Sequence, residues 1–319
     1  MITTVTLNAA IDKTYYVPSF PLGQVSRVRQ MYAEPGGKGI NVARVIQQLG
    51  YPVTATGIVG GHNGRFIEQT LSSQGIKHDF VRIEEESRLC LNIIDESIGS
   101  STEVLEQGPS ISTEVWQLFQ ARLADLAAQS RIVCFSGSLP QGVPSDAYAQ
   151  LIRIAKQSGA LAFLDTSGHA LLQGVSAQPD FVKPNEDEVK ALLGAFFGGE
   201  SEAEGDGDGD GDRAHGLLRL HHQGVPRVTV SLGVKGSISA YEGALYRVHA
   251  PSIQTVNTVG CGDSFVAGMA LATAQNLTFP NCLQYAAAVA SANALTERAG
   301  YVQLHDVERL QKEINVKLV

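Results

Sequence analysis

Three stretches of this chain carry residue types that could bind an anion or the metal ion that accompanies it. The densest is Asn257–Met269, N-T-V-G-C-G-D-S-F-V-A-G-M. Gly260 and Gly262 bracket Cys261, so the backbone can bend sharply there and present consecutive N–H groups. A helix is expected over Ser264–Thr273, with Phe265, Val266, Met269 and Ala270 on one face. A glycine turn feeding a helix N-terminus binds anions, because its unpaired N–H groups and the positive end of the dipole point the same way. Asp263 stands against that site. It either caps the helix or serves as a general base beside a bound phosphate.

The second stretch is Gly36-Gly37-Lys38-Gly39-Ile40-Asn41. Val42, Val45, Ile46 and Leu49 follow at helical spacing and Gly50 closes the helix. A glycine turn with a lysine again opens a helix, which suits an anionic ligand. It is not a nucleotide P-loop, since Gly39 stands where Ser or Thr would bind Mg²⁺ and Tyr32 replaces the leading glycine. The third is Asn185-x-x-Glu188, whose side chains share one side of a first helical turn. They either complement the helix dipole or offer oxygen ligands to Mg²⁺. Two lone residues join them. Asp12 lies at the polar end of the first strand, as a turn cap or a ligand group. Arg88 opens a later strand, as a solvated edge residue or a bidentate phosphate grip.

Strands and helices alternate around these stretches. Ile2–Leu7, Val53–Val59, Ile76–Ile83, Arg131–Phe135, Ala160–Leu164, Phe181–Lys183 and Arg227–Ser231 read as buried strands. Helices are expected at Gly64–Ser73, Trp116–Gln129, Asp146–Ser158, Pro280–Arg298 and Asp306–Ile314. Strands that end in small polar residues and alternate with helices indicate a parallel α/β sheet with its site on one rim. Tyr15–Phe20, Val25–Ala33, Arg88–Asp95 and Thr102–Leu105 look like strands of a flap, within about residues 13–35 and 88–107. Ser237–Tyr241 and Ala244–Val248 form a hairpin around Glu242-Gly243.

The bulk numbers fit one large domain across residues 1–319. Hydrophobic content of 44% and charged content of 18% are globular values. No apolar run approaches a membrane span. Cys90, Cys134, Cys261 and Cys282 are scattered without C-x-x-C, which predicts reduced thiols in a cytoplasm. The net charge of −8 argues against nucleic-acid partners. Seven acids of that charge lie in Glu200–Asp212, without which the chain is near −1. Residues 198–213 are expected to be a disordered acidic insertion. Its Asp206-x-Asp208-x-Asp210-Gly211 imitates a calcium loop, but Leu217 stands where the bidentate acid belongs.

G-C-G-D-S-F-V-A-G and G-G-K-G-I-N-V-A, about 220 residues apart, together resemble the two signatures of the ribokinase-like (PfkB) carbohydrate kinases, and the likeness runs from Thr4 to about Val302. That resemblance implies a three-layer α/β sandwich with a central mostly parallel sheet, plus a small β-sheet lid. It also implies ATP-dependent transfer to a ketohexose monophosphate. Asp263 would be the base, and Gly260, Cys261 and Gly262 the anion hole. Family members usually carry Ala or Ser at Cys261, so a reactive thiol is a further expectation. Asp12, Gly37, Asn41, Cys90 and Ser138 would meet the sugar, with Lys38 and Arg88 on the phosphate it already carries. Lys183, Ser231, Gly233, Gly236 and Asn293 would meet ATP, Asn293 beside the adenine. Asn185 and Glu188 would organise Mg²⁺. Glu106-Gln107-Gly108-Pro109 resembles a turn of the branch acting on tagatose 6-phosphate, which makes that sugar the first expectation and fructose 1-phosphate the second. Pairing of lid strands would give a homodimer.

Overall fold

In a computed structural model, residues 1–197 and 210–319 are described. The chain begins with β1 (Ile2–Thr6), β2 (Ala10–Val17), β3 (Gln30–Gly36) and α1 (Lys38–Gln48). Then come β4 (Val53–Gly60), α2 (Gly61–Ser73), β5 (Lys77–Ile83), β6 (Arg88–Asp95) and β7 (Ser100–Leu105). The middle of the chain alternates: α3 (Thr113–Ala127), β8 (Ile132–Ser136), α4 (Ala147–Gln157), β9 (Leu161–Asp165), α5 (Gly168–Ser176) and β10 (Phe181–Val182). The helices α6 (Glu186–Phe197) and α7 (Asp210–His222) precede β11 (Arg227–Ser231), β12 (Ser237–Tyr241) and β13 (Ala244–Val248). The last elements are α8 (Cys261–Ala274), α9 (Phe279–Asn293), α10 (Leu304–Glu313) and β14 (Val316–Leu318).

One large sheet runs β14-β13-β12-β11-β10-β9-β8-β1-β4-β5. From β5 to β11 neighbouring strands pair in parallel, and β12, β13 and β14 add antiparallel partners. Both faces are covered, as a parallel sheet requires. Strand β8 shows how: Ile132 and Cys134 enter one core, Val133 and Phe135 the other. The first core is completed by α1, α2, α8, α9 and α10, the second by α3 to α7. The expected three-layer α/β sandwich is therefore the fold.

A second sheet, β3-β2-β6-β7, stands apart as the lid. Chain order reverses at β1, which pairs with β4 on one side and β8 on the other. Such switch points open a crevice at the strands' carboxyl ends, and the lid lies over that crevice.

Several expectations change. The chain between Pro18 and Arg29 forms no strand, since two prolines remove ladder donors there. Helix α9 stops at Asn293 rather than Arg298. Its last turn is taken up elsewhere: the Ala294 carbonyl accepts the N–H of Val256 at 2.8 Å. Helix α5, helix α7 and strand β14 were not expected from the sequence. In α5, Gly168 and Gly174 dilute the helical signal that Leu171 and Val175 carry. Of the disordered insertion expected over residues 198–213, residues 198–209 lie outside the described residues, and residues 210–213 instead form the start of α7.

Candidate active site

The base candidate lies in the first turn of α8. Gly260 is its N-cap in the left-handed region, φ 82°, so the helix starts three residues earlier than its apolar pattern suggested. The side-chain hydrogen bond of Asp263 goes to Asn41 and not to the helix's own N-terminus. Asp263 is buried, 6% exposed, and its Oδ2 accepts from Asn41 Nδ2 at 2.8 Å. Burial, and next the charge of Asp165, push its pKa up to about 6, against Lys38, the Asn41 bond and Lys183. The Cys261 N–H is spent on the Thr258 carbonyl and that of Ser264 on Gly260. Among the described residues this leaves the N–H groups of Gly260, Gly262 and Asp263 for an anion, with that of Cys261 withdrawn from the hole the motif suggested.

A second helix N-terminus meets the first. Gly37, φ 103°, precedes α1, and a Cβ there would stand 2.6 Å from Thr6 Cγ2. Lys38 is the first residue of α1. Its Nζ lies 3.5 Å from Asp165 Oδ1, and Lys183 Nζ lies 3.3 Å from the same oxygen. Lys183 also stands over the glycine turn, 3.4 Å from where a Gly262 Cβ would be. Burial pushes the Asp165 carboxyl up, but Lys183 and Lys38 outweigh it and hold it below its ordinary value. Asp165 in turn raises Lys38. Two ammonium groups around one carboxylate leave one positive charge in excess beside the N–H groups of α8, which balances Asp263 when that group is ionised.

The lid supplies the other wall. Asp12 pairs across strands with Cys90 on β6 and Glu34 on β3. It accepts the Gly37 N–H, and burial raises its pKa against Arg44 and Arg88. Arg88 donates from Nε to Asn8 O at 3.1 Å and from NH1 to Glu106 O at 3.2 Å. Those bonds hold the guanidinium plane along the cleft. Ser138 is exposed and accepts from Asn8 Nδ2 at 3.3 Å. Asp12, Lys38, Asn41, Arg88, Ser138 and Asp263 all line one cavity of about 990 Å³ between lid and body. Thr6 Oγ1, Asn8 Oδ1 and Ser136 Oγ, buried on its floor, have no partner among the described residues. Buried polar atoms are normally satisfied, so this floor suits a hydroxylated ligand. Burial pushes Cys90 up to about 11, which makes it a wall residue and not a nucleophile.

The third group lies at the far end. Asn185 N–H donates to Glu188 Oε2 and Glu188 N–H to Asn185 Oδ1, both at 2.8 Å, a reciprocal cap on α6. Glu188 keeps its second oxygen, and its charge reaches Lys38. No cluster of three metal-binding side chains occurs among the described residues. One carboxylate and one amide oxygen still suit Mg²⁺, which completes its shell with phosphate and water. Ser231 bridges to Asn185 at the end of β11. Beyond it, Gly233 adopts φ 57° with open space around it, whereas a Cβ on Gly236 would meet the Val248 carbonyl at 2.0 Å. Gly233 is thus free for a ligand's approach, while Gly236 is required by the packing of its own loop.

Two expectations are corrected. Asn293 is fully buried. Its Oδ1 accepts from Ser264 Oγ and Gly300 N, and its Nδ2 donates to Val259 O. It pins the glycine turn from behind and has no face left for adenine. Cys261 is held by that same amide at 3.4 Å, and burial raises its pKa, so its thiol is not an activated one. Sequence reasoning missed Asp165, Asn8 and Arg44. Asp165 ends a buried apolar strand on the ligand rim, and Arg44 interrupts the apolar face of α1 three residues after Asn41. Both signals were present in the sequence.

The pfkB family carbohydrate kinase model matches residues 5–305. Tagatose-6-phosphate kinase of Staphylococcus epidermidis is 34% identical over 318 residues, covering 99% of each chain. Phosphofructokinase-2 of Escherichia coli, solved with potassium, superposes with a TM-score of 0.89 at 27% identity over 98% of each chain. A Thermotoga maritima structure described as a possible 1-phosphofructokinase gives a TM-score of 0.87 at 27% identity, covering 100% of this chain and 99% of its own.

Proposed function

The chain belongs to the pfkB family of carbohydrate kinases, and we propose that it phosphorylates a ketohexose monophosphate, tagatose 6-phosphate first, to the bisphosphate. The observation that carries the reading is Asp263. It is a buried carboxylate with a pKa near 6, at the foot of a helix whose free N–H groups can hold an anion. Near neutral pH such a group is ionised and still basic enough to take a hydroxyl proton. The hydroxyl oxygen attacks the γ-phosphorus of ATP, the bond to the β-phosphate breaks, and the proton passes to Asp263. The N–H groups of Gly262 and Asp263, with Lys183, stabilise charge on the moving phosphoryl group.

Lys38 shares Asp165 with Lys183, which favours a role on the same phosphoryl group as well as on the sugar phosphate. Arg88 keeps the sugar phosphate, with Asp12, Asn41, Cys90 and Ser138 around the sugar. Gly37 orients Asp12 through its N–H. Lys183, Ser231 and the Gly233–Gly236 loop border ATP. Asn185 and Glu188 would hold Mg²⁺, which neutralises the phosphates when bound. The lid excludes water and limits wasteful hydrolysis. A second copy docks on it: Met31 and Val104, which alternate with the cavity-lining Tyr32 and Glu103, are 52% and 51% exposed. The four cysteines are free thiols, in keeping with the cytoplasm. Among the described residues no helix is long and apolar enough to cross a membrane.

Fructose 1-phosphate is the second reading, favoured by the Thermotoga neighbour. ADP release with Mg-ATP and tagatose 6-phosphate, fructose 1-phosphate, fructose 6-phosphate or fructose separates these. A specificity ratio above ~100 names the substrate, about 2.7 kcal/mol of discrimination. Turnover of fructose alone removes the phosphate roles of Lys38 and Arg88.

A further inference from the structure

Arg44 has no part in the chemistry above, yet it is the buried cation whose bonds lead to the base. It is 2% exposed. Its NH1 donates to Asn41 Oδ1 at 2.8 Å and to Ala299 O at 3.4 Å, and its NH2 donates to Pro35 O at 2.6 Å. Its guanidinium lies 5.2 Å over the ring of Tyr301. One side chain therefore ties together the lid strand β3, helix α1 and the loop after α9. Among the described residues no carboxylate bonds it directly. Burial lowers its pKa, and Tyr301, Glu34, Asp12 and Asp263 counter that through space. A buried cation without an ion-pair partner is costly to keep, and the geometry indicates what it secures.

An asparagine amide can sit either way round. With its oxygen toward Asp263 it would repel the carboxylate, and with its nitrogen there it donates. The carboxylate favours the second, and a donor on the far side of Asn41, bonded to Oδ1, holds the amide in that orientation when Asp263 takes up a proton. We infer that Arg44 is a positioning residue for the base: anchored on Pro35 and Ala299, it locks Asn41 with Nδ2 on Asp263 Oδ2 and leaves Oδ1 to the acceptor hydroxyl. The inference rests on Asp263 being the base. Because one anchor is a lid strand, the alignment of the base depends on where the lid lies. The other charged groups facing Asp263 are Lys38 from α1, Asp165 from β9 and Lys183 after β10, and Arg44→Met leaves them in place.

The test compares Arg44→Met, Arg44→Lys, Asn41→Ala and the double variant Arg44→Met/Asn41→Ala. Arg44→Met is expected to lower kcat on the order of 10- to 100-fold, the cost of a misaligned group, with KM for ATP within about 2-fold. The acid limb of its rate profile moves to higher pH, since the Asn41 bond lowers the pKa of Asp263. In the Asn41→Ala background, Arg44→Met adds little, because its effect runs through Asn41. Arg44→Lys keeps the charge without the fork and behaves like Arg44→Met. It serves in its place if the methionine variant does not fold. Multiplying losses in the double variant, or a lower kcat with an unmoved acid limb, would reduce Arg44 to a structural residue and overturn the inference. Failure of the reading beneath is seen separately, as full turnover by Asp263→Asn with Arg44 intact.

Discussion

Asp165 and Asp263 are carboxylates buried to nearly the same depth, 2% and 6% exposed, and their pKa values move apart. Asp165 has two ammonium groups within 3.5 Å on one oxygen. Asp263 has one amide donor. Burial alone would raise both; the partners decide which stays a permanent anion and which is left able to take a proton. Asp165 also acts on Asp263, since its charge is the second cause of the raised pKa. Two acids with diverging titrations can therefore divide the work: one gathers the lysines, and the other is left for the role of base in the proposed mechanism.

The hardest blow to that contrast is Asp263→Asn, which keeps the shape and removes the base. Its kcat is expected to fall about 10³-fold in the ADP-release assay. The same variant should be more stable. The raised pKa of Asp263 means that its contribution to stability is complete below pH 3.8 and is lost as pH rises through about 6. At pH 8 the asparagine avoids a cost of about 2–3 kcal/mol, readable as a higher midpoint in urea. Equal stability of the two proteins at pH 8 would contradict the buried-base account.

Lys183→Met removes the ammonium over the glycine turn. A loss of about 10²-fold in kcat is expected, as for one lost donor at a developing anion. Its acid limb moves up, because Lys183 lowers the pKa of Asp263. Asp165→Asn moves that limb the other way, below pH 6, by removing the charge that raises Asp263. Its kcat falls about 10-fold, and breaking the buried pair with Lys183 costs about 3–5 kcal/mol of stability by thermal melt. Opposite displacements for Lys183→Met and Asp165→Asn are the sharpest form of the comparison. Limbs moving the same way would sink it. Cys261→Ala is the smallest change, expected within about 2-fold in kcat, since its pKa is raised and a conservative truncation at a partly buried site is mild. Rapid inactivation by a thiol reagent, abolished in Cys261→Ala, would restore the reactive reading.

Much of this contrast was legible in one half only. Asp263 announced itself, because a glycine turn, a carboxylate and a helix follow one another in the chain. Asp165 lay unremarked at the end of β9, because its partners Lys38 and Lys183 are distant in sequence and nothing local ties them to it. The same holds for Asn8, whose amide reaches Gln107 and Ser138. Asn293 failed in the opposite way: its place in α9 suited a ligand, but burial of every polar atom turned it into a pin. Asn185 and Glu188 kept both of their readings, as a cap in the structure and as oxygen donors in the proposal.

By itself the sequence determined the alternation of strands and helices, the parallel sheet with its site on one rim, the two glycine-led helix starts and the residue that could be a base. These are local matters, set by periodicity and backbone freedom over a few residues. Tertiary structure alone decided that the two helix starts face each other. It brought two lysines to one carboxylate, spent the Cys261 N–H at the turn while leaving its neighbours free, and stood Arg44 behind Asn41. Those are long-range outcomes, because a pKa, a charge balance or the choice between amide faces depends on which distant side chains arrive within a few ångströms.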